Sequence, residues 1–260
     1  MERVDVLKAA FGENGQAFED VLVNTGKVEL EAYKFKIKQS IPVWKARGEL
    51  AKKVPDFWHQ ALRNHQDTSD QIDLVDDEAL KHLKEVWLEY SDKDVRDFEI
   101  TLTFSPKNPY FKETTIKKKL TATPPKGTDS EPVTEYDLDA PLYLEKCTPI
   151  TWTSPEHDLT KKAPRVDPLE LEENDEYPGP GSIFNWFLAE GLDETGLGEH
   201  LAQVWGSAVE LAAGMQGIDS DEEFGSEIDS EAEEDIDDSK KEIDLSDDEK
   251  RPKKKQRQQK

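Results

Sequence analysis

The sequence predicts an α+β protein followed by a polar, acidic tail, and three observations carry that prediction. Apolar residues recur at helical spacing up to Tyr90. The period then changes to alternation from Phe98, and helical spacing returns after Ser182. Beyond Ile218 the apolar residues thin out to Phe224, Ile228, Ala232, Ile236, Ile243 and Leu245, while all six Trp lie between residues 44 and 205. The expected division is residues 1–53 as an N-terminal region with a long helix, 54–217 as an α+β domain, and 218–260 as a disordered tail that cannot bury a core.

The first helix is expected over residues 17–40. Phe18, Val21, Thr25, Val28, Ala32 and Phe35 are separated by three and four residues in turn, the spacing of a coiled-coil seam. Periodicity alone fits a helix packed on its own domain as well as one paired with a second chain. Gly26 weakens the helix by about 1 kcal/mol relative to Ala, and Pro42 is expected to kink or break it. "VWKARGELAKK" resumes helical character until Pro55. "DFWHQALRNH" then reads as a helix capped by Asp56, with Phe57, Trp58, Ala61 and Leu62 on one side. Asp76 is expected to cap a further helix, "DEALKHLKEVWLEY", with Leu80, Leu83, Trp87 and Tyr90 as its buried stripe.

Phe98, Ile100, Leu102 and Phe104 alternate with polar residues and predict a half-buried strand. The chain bends at Pro109, Tyr110 and Phe111 into a return strand with Ile116, Leu120 and Ala122 on one face. Lys118 falls on that same apolar face, which suggests a sheet edge. "CTPITWTS" is expected as a third strand. Residues 123–141 and "RVDPLELEENDEYPGPG" read as long acidic loops. "SIFNWFLAEGL" precedes a last helical stretch with Leu197, Leu201, Val204, Trp205, Ala208 and Val209 in series.

The charge is strongly one-sided. The chain carries a net −24; residues 218–249 hold seventeen acids against Lys240 and Lys241, and residues 250–260 add seven cations, leaving about −16 on the body. That sign disfavours nucleic acid and anionic membranes and favours basic proteins. No apolar run approaches the ~20 residues of a membrane helix, and the N-terminus lacks a signal-peptide core. With Cys147 alone no intrachain disulfide is possible, which fits a reducing compartment. The expectation is a soluble intracellular protein.

No catalytic or metal constellation stands out. His59, His65, His82, His157 and His200 are scattered without ligand spacing, Cys147 lacks a nucleophile signature, and Ser182 lacks a Gly-x-Ser-x-Gly context. "GPGS" lacks the Lys-Ser/Thr ending of a phosphate loop. Hence no enzyme, no cofactor and no metal are expected. Ser220, Ser226, Ser230 and Ser246 precede acids in the manner of acidophilic kinase substrates, a pattern any serine in such a run acquires. The basic block Lys250, Arg251, Lys253, Lys254 and Lys255 suits a nuclear import signal.

From "PVWKARGELAKKVPDFW" onward the sequence resembles the nucleosome assembly protein family, and within it the SET/template-activating-factor branch of histone chaperones. The resemblance continues through "DDEALKHLKEVWLEY", "FEITLTFSPKNPYF", "ITWTSPEHDLTKK", "SIFNWF" and "GLGEHLAQVW". It departs at "AQVWGSAV", where the family carries acids before the Trp and Pro after it. It implies a homodimer joined by long helices through Phe18, Val21, Val28, Ala32 and Phe35, each helix bearing an earmuff-shaped α+β domain. It implies core histones as partners, bound on an acidic concave surface that includes Glu190, Asp193, Glu194 and Glu199. The tail would assist, beginning at Asp219, Asp221, Glu222 and Glu223. Tyr110 and Phe111 would be packing residues of the hairpin. A nuclear protein promoting nucleosome assembly and disassembly is expected, with exchange to the cytoplasm left open. The alternative is a regulatory subunit or inhibitor of a chromatin enzyme, a histone acetyltransferase or a protein phosphatase.

Overall fold

A computed structural model describes residues 3–127, 134, 136–166 and 179–215. A short helix, α1 (Arg3–Phe11), leads into the 37-residue α2 (Gly15–Ala51), about 55 Å long at 1.5 Å per residue. The two pack so closely that a Cβ on Gly15 would lie 2.6 Å from the Lys8 backbone, and Arg3 pairs with Glu19 at 2.6 Å.

Pro42 does not interrupt α2, contrary to expectation. A proline removes one helical hydrogen bond, but here the turns beyond it are anchored. Trp44 packs on Trp205 with ring centroids 4.2 Å apart, and Gly48 and Ala51 are buried.

The helix carries two apolar stripes on opposite sides. Tyr33, Ile37, Trp44, Gly48 and Ala51 turn toward their own domain. Phe18, Val21, Val28, Phe35, Val43 and Leu50 point away and are 46–69% exposed, as is Ala32. Gly26 lies on the inward side, where its missing side chain admits the Tyr136 ring; a Cβ there would meet Tyr136 Cδ2 at 2.8 Å.

Helix α3 (Phe57–Asn64) buries Phe57, Trp58, Ala61 and Leu62 as its spacing predicts. Asp56 gives it no side-chain cap, because Asp56 sits in the left-handed region at φ 55°. Single turns follow at α4 (Gln66–Ser69) and α5 (Asp77–Leu80). The long helix expected from Asp77 to Tyr90 ends there. Leu83–Tyr90 form strand β1, in which Val86 and Leu88 are buried and their neighbours more open. Tertiary pairing with β2 overrides the ambiguous local spacing.

Strands β2 (Phe98–Phe104), β3 (Thr115–Thr121), β4 (Tyr143–Leu144) and β5 (Gly191–Leu192) complete an antiparallel sheet ordered β1-β2-β3-β4-β5. The expected third strand is displaced. β4 lies just after the 123–141 stretch read as a loop, and "CTPITWTS" makes a single bridge, Trp152 to Phe111. Cys147 therefore lies outside any strand and is only partly buried; burial pushes its thiol up to about 11.

After α6 (Leu159–Lys162) come α7 (Ile183–Leu188), α8 (Leu197–Gly206) and α9 (Ala208–Ala212). The last two, read as one series, are separated at Ser207, which leaves Val209 exposed. The core lies between the sheet and helices α3, α7 and α8. Phe111 is buried within it, its ring 4.8 Å from Phe104 and 5.5 Å from Phe184. Tyr110 is half-buried against His157.

Candidate functional site

The segment from Ser182 to Gly206 carries the acidic positions singled out in the sequence, and buried charges at its helix ends hold it in place. Ser182 caps α7 by accepting from Phe184 N. Its hydroxyl donates to the Asp76 carboxylate at 2.6 Å, and Ile183 N donates to the same carboxylate at 2.8 Å. Asp76 is thus a cap, but for α7, 106 residues along the chain, and not for the turn that follows it. It is fully buried, and that burial pushes its carboxyl up to about 6 despite the two donors.

The other end of α7 is held by Lys118. This residue is fully buried in the middle of the sheet, opposite Ile100, so its place on the apolar face does not mark an edge. Its ammonium donates to Phe187 O at 3.1 Å and to Ala189 O, and lies 6.0 Å from the Trp186 ring centre. Carbonyls left unpaired at a helix end are a natural partner for a cation. Burial lowers its proton affinity.

Asp193 occupies the next joint. Its carboxylate accepts from Trp186 Nε1 at 2.9 Å, from Gly198 N at 2.8 Å and from Thr195 Oγ1 at 3.1 Å. It therefore caps the first turn of α8. A Cβ on Gly198 would fall 2.1 Å from Leu120 Cδ2 and 2.9 Å from Asp193 Oδ2, so a side chain there would displace the leucine and the capping carboxylate. The far end of α8 is held from the long helix. Arg47 donates to Trp205 O and Gly206 O, with its guanidinium 5.3 Å from the Trp205 ring centre. Burial pushes Arg47 down to about 10.

Of the four body positions that the resemblance implies for histone contact, Asp193 is consumed by these internal bonds. Glu190, Glu194 and Glu199 are exposed, and none forms an ion pair among the described residues. Among the described residues, Glu199 accepts only from Gln203, at 3.2 Å. Asp219, Asp221, Glu222, Glu223, the four tail serines and the basic block Lys250, Arg251 and Lys253–Lys255 lie outside the described residues. The seam positions of α2 are all exposed in the single chain. No group of three or more His, Cys, Asp or Glu suited to a metal occurs among the described residues.

Sequence reasoning missed Arg47, Asp76 and Lys118 as clamps. The one legible signal was Lys118 on an apolar face. A lysine so placed has to find carbonyls or acids from another element, and those lie about 70 residues away.

The chain is thus an acidic α+β protein whose long helix carries an outward apolar stripe and whose domain exposes Glu190, Glu194 and Glu199. The family model for nucleosome assembly protein matches residues 20–244, and the chain belongs to that family. A rice (Oryza sativa subsp. indica) NAP1-related protein 1 is 36% identical over 77 residues, 30% of this chain and 29% of the relative. A putative nucleosome assembly protein of Schizosaccharomyces pombe is 28% identical over 196 residues, 69% of this chain and 77% of the relative. The chain spans 29% of that rice relative and 41% and 31% of two nucleosome assembly proteins of the same subspecies. Among solved structures, Ccp1 superposes with a TM-score of 0.56 at 24% identity, over 80% of this chain and all of that one. The Vps75 histone chaperone superposes with a TM-score of 0.52 at 19% identity, over 77% and 96%. These likenesses show that the fold is shared.

Proposed function

We propose that the protein is a histone chaperone, working as a homodimer and promoting nucleosome assembly and disassembly. The observation that carries this reading is the set Glu190, Glu194 and Glu199, exposed carboxylates without ion-pair partners among the described residues, on a backbone fixed by Lys118, Asp193 and Arg47. Membership of the nucleosome assembly protein family supports it. Core histones present clustered Lys and Arg. Carboxylates held on a rigid ridge lose little entropy in meeting them, and screening at physiological salt, with a Debye length of ~8 Å, keeps the attraction reversible.

Dimerisation is proposed through the outward stripe of α2, comprising Phe18, Val21, Val28, Ala32 and Phe35, with Val43 and Leu50 extending it. An amphipathic helix covered on one side by its own domain has a second apolar side left to bury. The tail, with Asp219, Asp221, Glu222 and Glu223, adds diffuse attraction. The block from Lys250 to Lys255 directs nuclear import, and Lys253, Lys254 and Lys255 changed to Ala should leave a tagged protein cytoplasmic.

The test is titration of purified core histones. Deleting residues 218–260 should weaken binding most at low salt, while the body keeps its preference between histone pairs. Reversing Glu190, Glu194 and Glu199 to Lys should weaken binding with the tail in place. Silent reversals, or a tail-less body that binds no histone at any salt, would place the contact elsewhere. Nothing among the described residues favours the alternative of a regulatory subunit for an acetyltransferase or phosphatase; such a protein would ignore purified histones.

A further inference from the structure

The sheet ends at β5, and no described strand lies beyond it. Asp193 N donates to Leu142 O at 2.8 Å, and Leu192 stands opposite Tyr143. In an antiparallel ladder hydrogen-bonded and non-hydrogen-bonded pairs alternate. Residues 191 and 193 therefore bond inward to β4, and Leu192 turns its own N–H and C=O toward the open side.

This short edge is held on both flanks. Lys118 fixes the carbonyls of Phe187 and Ala189 just before it. Asp193, tied to Trp186 and Gly198, fixes the chain just after it. Leu192 is itself 48% exposed, and the residues flanking it in the chain include the 45% exposed Leu188 and the exposed carboxylates of Glu190 and Glu194.

We propose that the β5 edge receives an extended, basic protein segment as an added strand, a reading that rests on the proposed function and assigns the geometry of one of its contacts. An occupant has to supply a backbone donor and acceptor for Leu192, an apolar side chain for Leu188 and Leu192, and cations for Glu190 and Glu194. A lysine- and arginine-rich segment with an apolar residue between its cations meets all three demands. A basic helix satisfies the carboxylates but leaves the Leu192 backbone unmatched, since its own N–H and C=O groups are internally bonded. A second copy of this chain is disfavoured because its body is acidic too. The edge is pre-organised, so strand addition orders little of the host, and its brevity limits non-specific pairing.

The test uses the full chain and two synthetic peptides of alternating Lys and Val. They are identical in charge, but one is N-methylated at alternate backbone nitrogens so that it cannot donate along one edge. Affinity is read by fluorescence anisotropy at about 0.3 M salt, which suppresses diffuse attraction to acidic segments. The exchange rate of the Leu192 amide is read by NMR. The unmodified peptide should bind about tenfold more tightly than the methylated one, the scale of one or two backbone hydrogen bonds. It alone should slow Leu192 exchange. Equal affinities, no binding of either peptide, or unprotected Leu192 overturns strand addition. Core histones are titrated in parallel. If they bind while the peptides fail to discriminate, the edge is refuted and the chaperone reading stands; if they do not bind, that reading fails, whatever the peptides show.

Discussion

Replacing Asp76 with Asn should change the pH dependence of stability by an amount that follows from where the carboxylate sits. Asp76 is fully buried under α7, accepting from Ser182 and Ile183 N, and burial raises its carboxyl from 3.8 to about 6. In the unfolded chain it loses its proton near 3.8; in the folded protein it keeps it until about 6. Between these values the unfolded state binds fewer protons than the native state, so folding stability falls as pH rises. The cost is absent below the unfolded value and complete above the folded one. A gap of about 2 units is worth about 3 kcal/mol. The Asn variant has no such titration, although it gives up one acceptor oxygen at every pH. Urea unfolding of both proteins at pH 4 and pH 7, at one fixed protein concentration, isolates the effect because the other carboxylates cancel in the difference. The stability of the variant relative to wild type should rise by about 2.4 kcal/mol from pH 4 to pH 7, because at pH 4 the unfolded carboxyl is already partly ionised. A constant difference would mean that Asp76 ionises like an exposed carboxyl, and the buried clamp on α7 would be wrong.

Phe111→Ala should cost about 3–5 kcal/mol in chemical unfolding, the cost of emptying a core phenylalanine site, because Phe111 is 2% exposed among Phe104, Trp152 and Phe184. Tyr110→Ala should cost clearly less, since Tyr110 is half-buried; equal losses would contradict this division. Gly26→Ala removes a helix-propensity penalty of about 1 kcal/mol, yet thermal unfolding should show no gain, because the new methyl meets the Tyr136 ring at 2.8 Å. A full gain would show that this contact does not form. Aspartate at Val21, Val28 and Phe35 together should halve the mass seen by light scattering, whereas an unchanged dimer would place the interface off this stripe.

Much of the architecture was legible because burial of apolar side chains obeys local periods. The alternation Phe98–Ile100–Leu102–Phe104 and the spacing Phe57–Trp58–Ala61–Leu62 are buried as read. "NPYF" was legible as a bend, and Phe111 is a packing residue. The segment Leu83–Tyr90 was misread, because Leu83, Trp87 and Tyr90 satisfy helical spacing as well as the strand they form. Only pairing with β2 decides between them. That the helix runs unbroken through Pro42 was not legible for a related reason. Its local penalty is fixed by chemistry, but the anchors that offset it, Trp44 on Trp205 and Arg47 on the end of α8, come from residues more than 150 positions away.

The candidate site divides along the same line. Acidity, the apolar seam and the stretch "SIFNWFLAEGLDETGLGEH" are properties of residue type and spacing, and the sequence alone determines them. Which carboxylates face outward is decided by tertiary structure. Glu190 and Asp193 are alike in sequence. Asp193, however, meets the Trp186 indole N–H and the open first turn of α8, and a carboxylate so placed is spent on donors inside the chain. Asp76 and Lys118 show the same dependence. A buried charge persists only where another element brings unpaired groups of the right kind to it, and the helix ends that do so are 106 and about 70 residues distant.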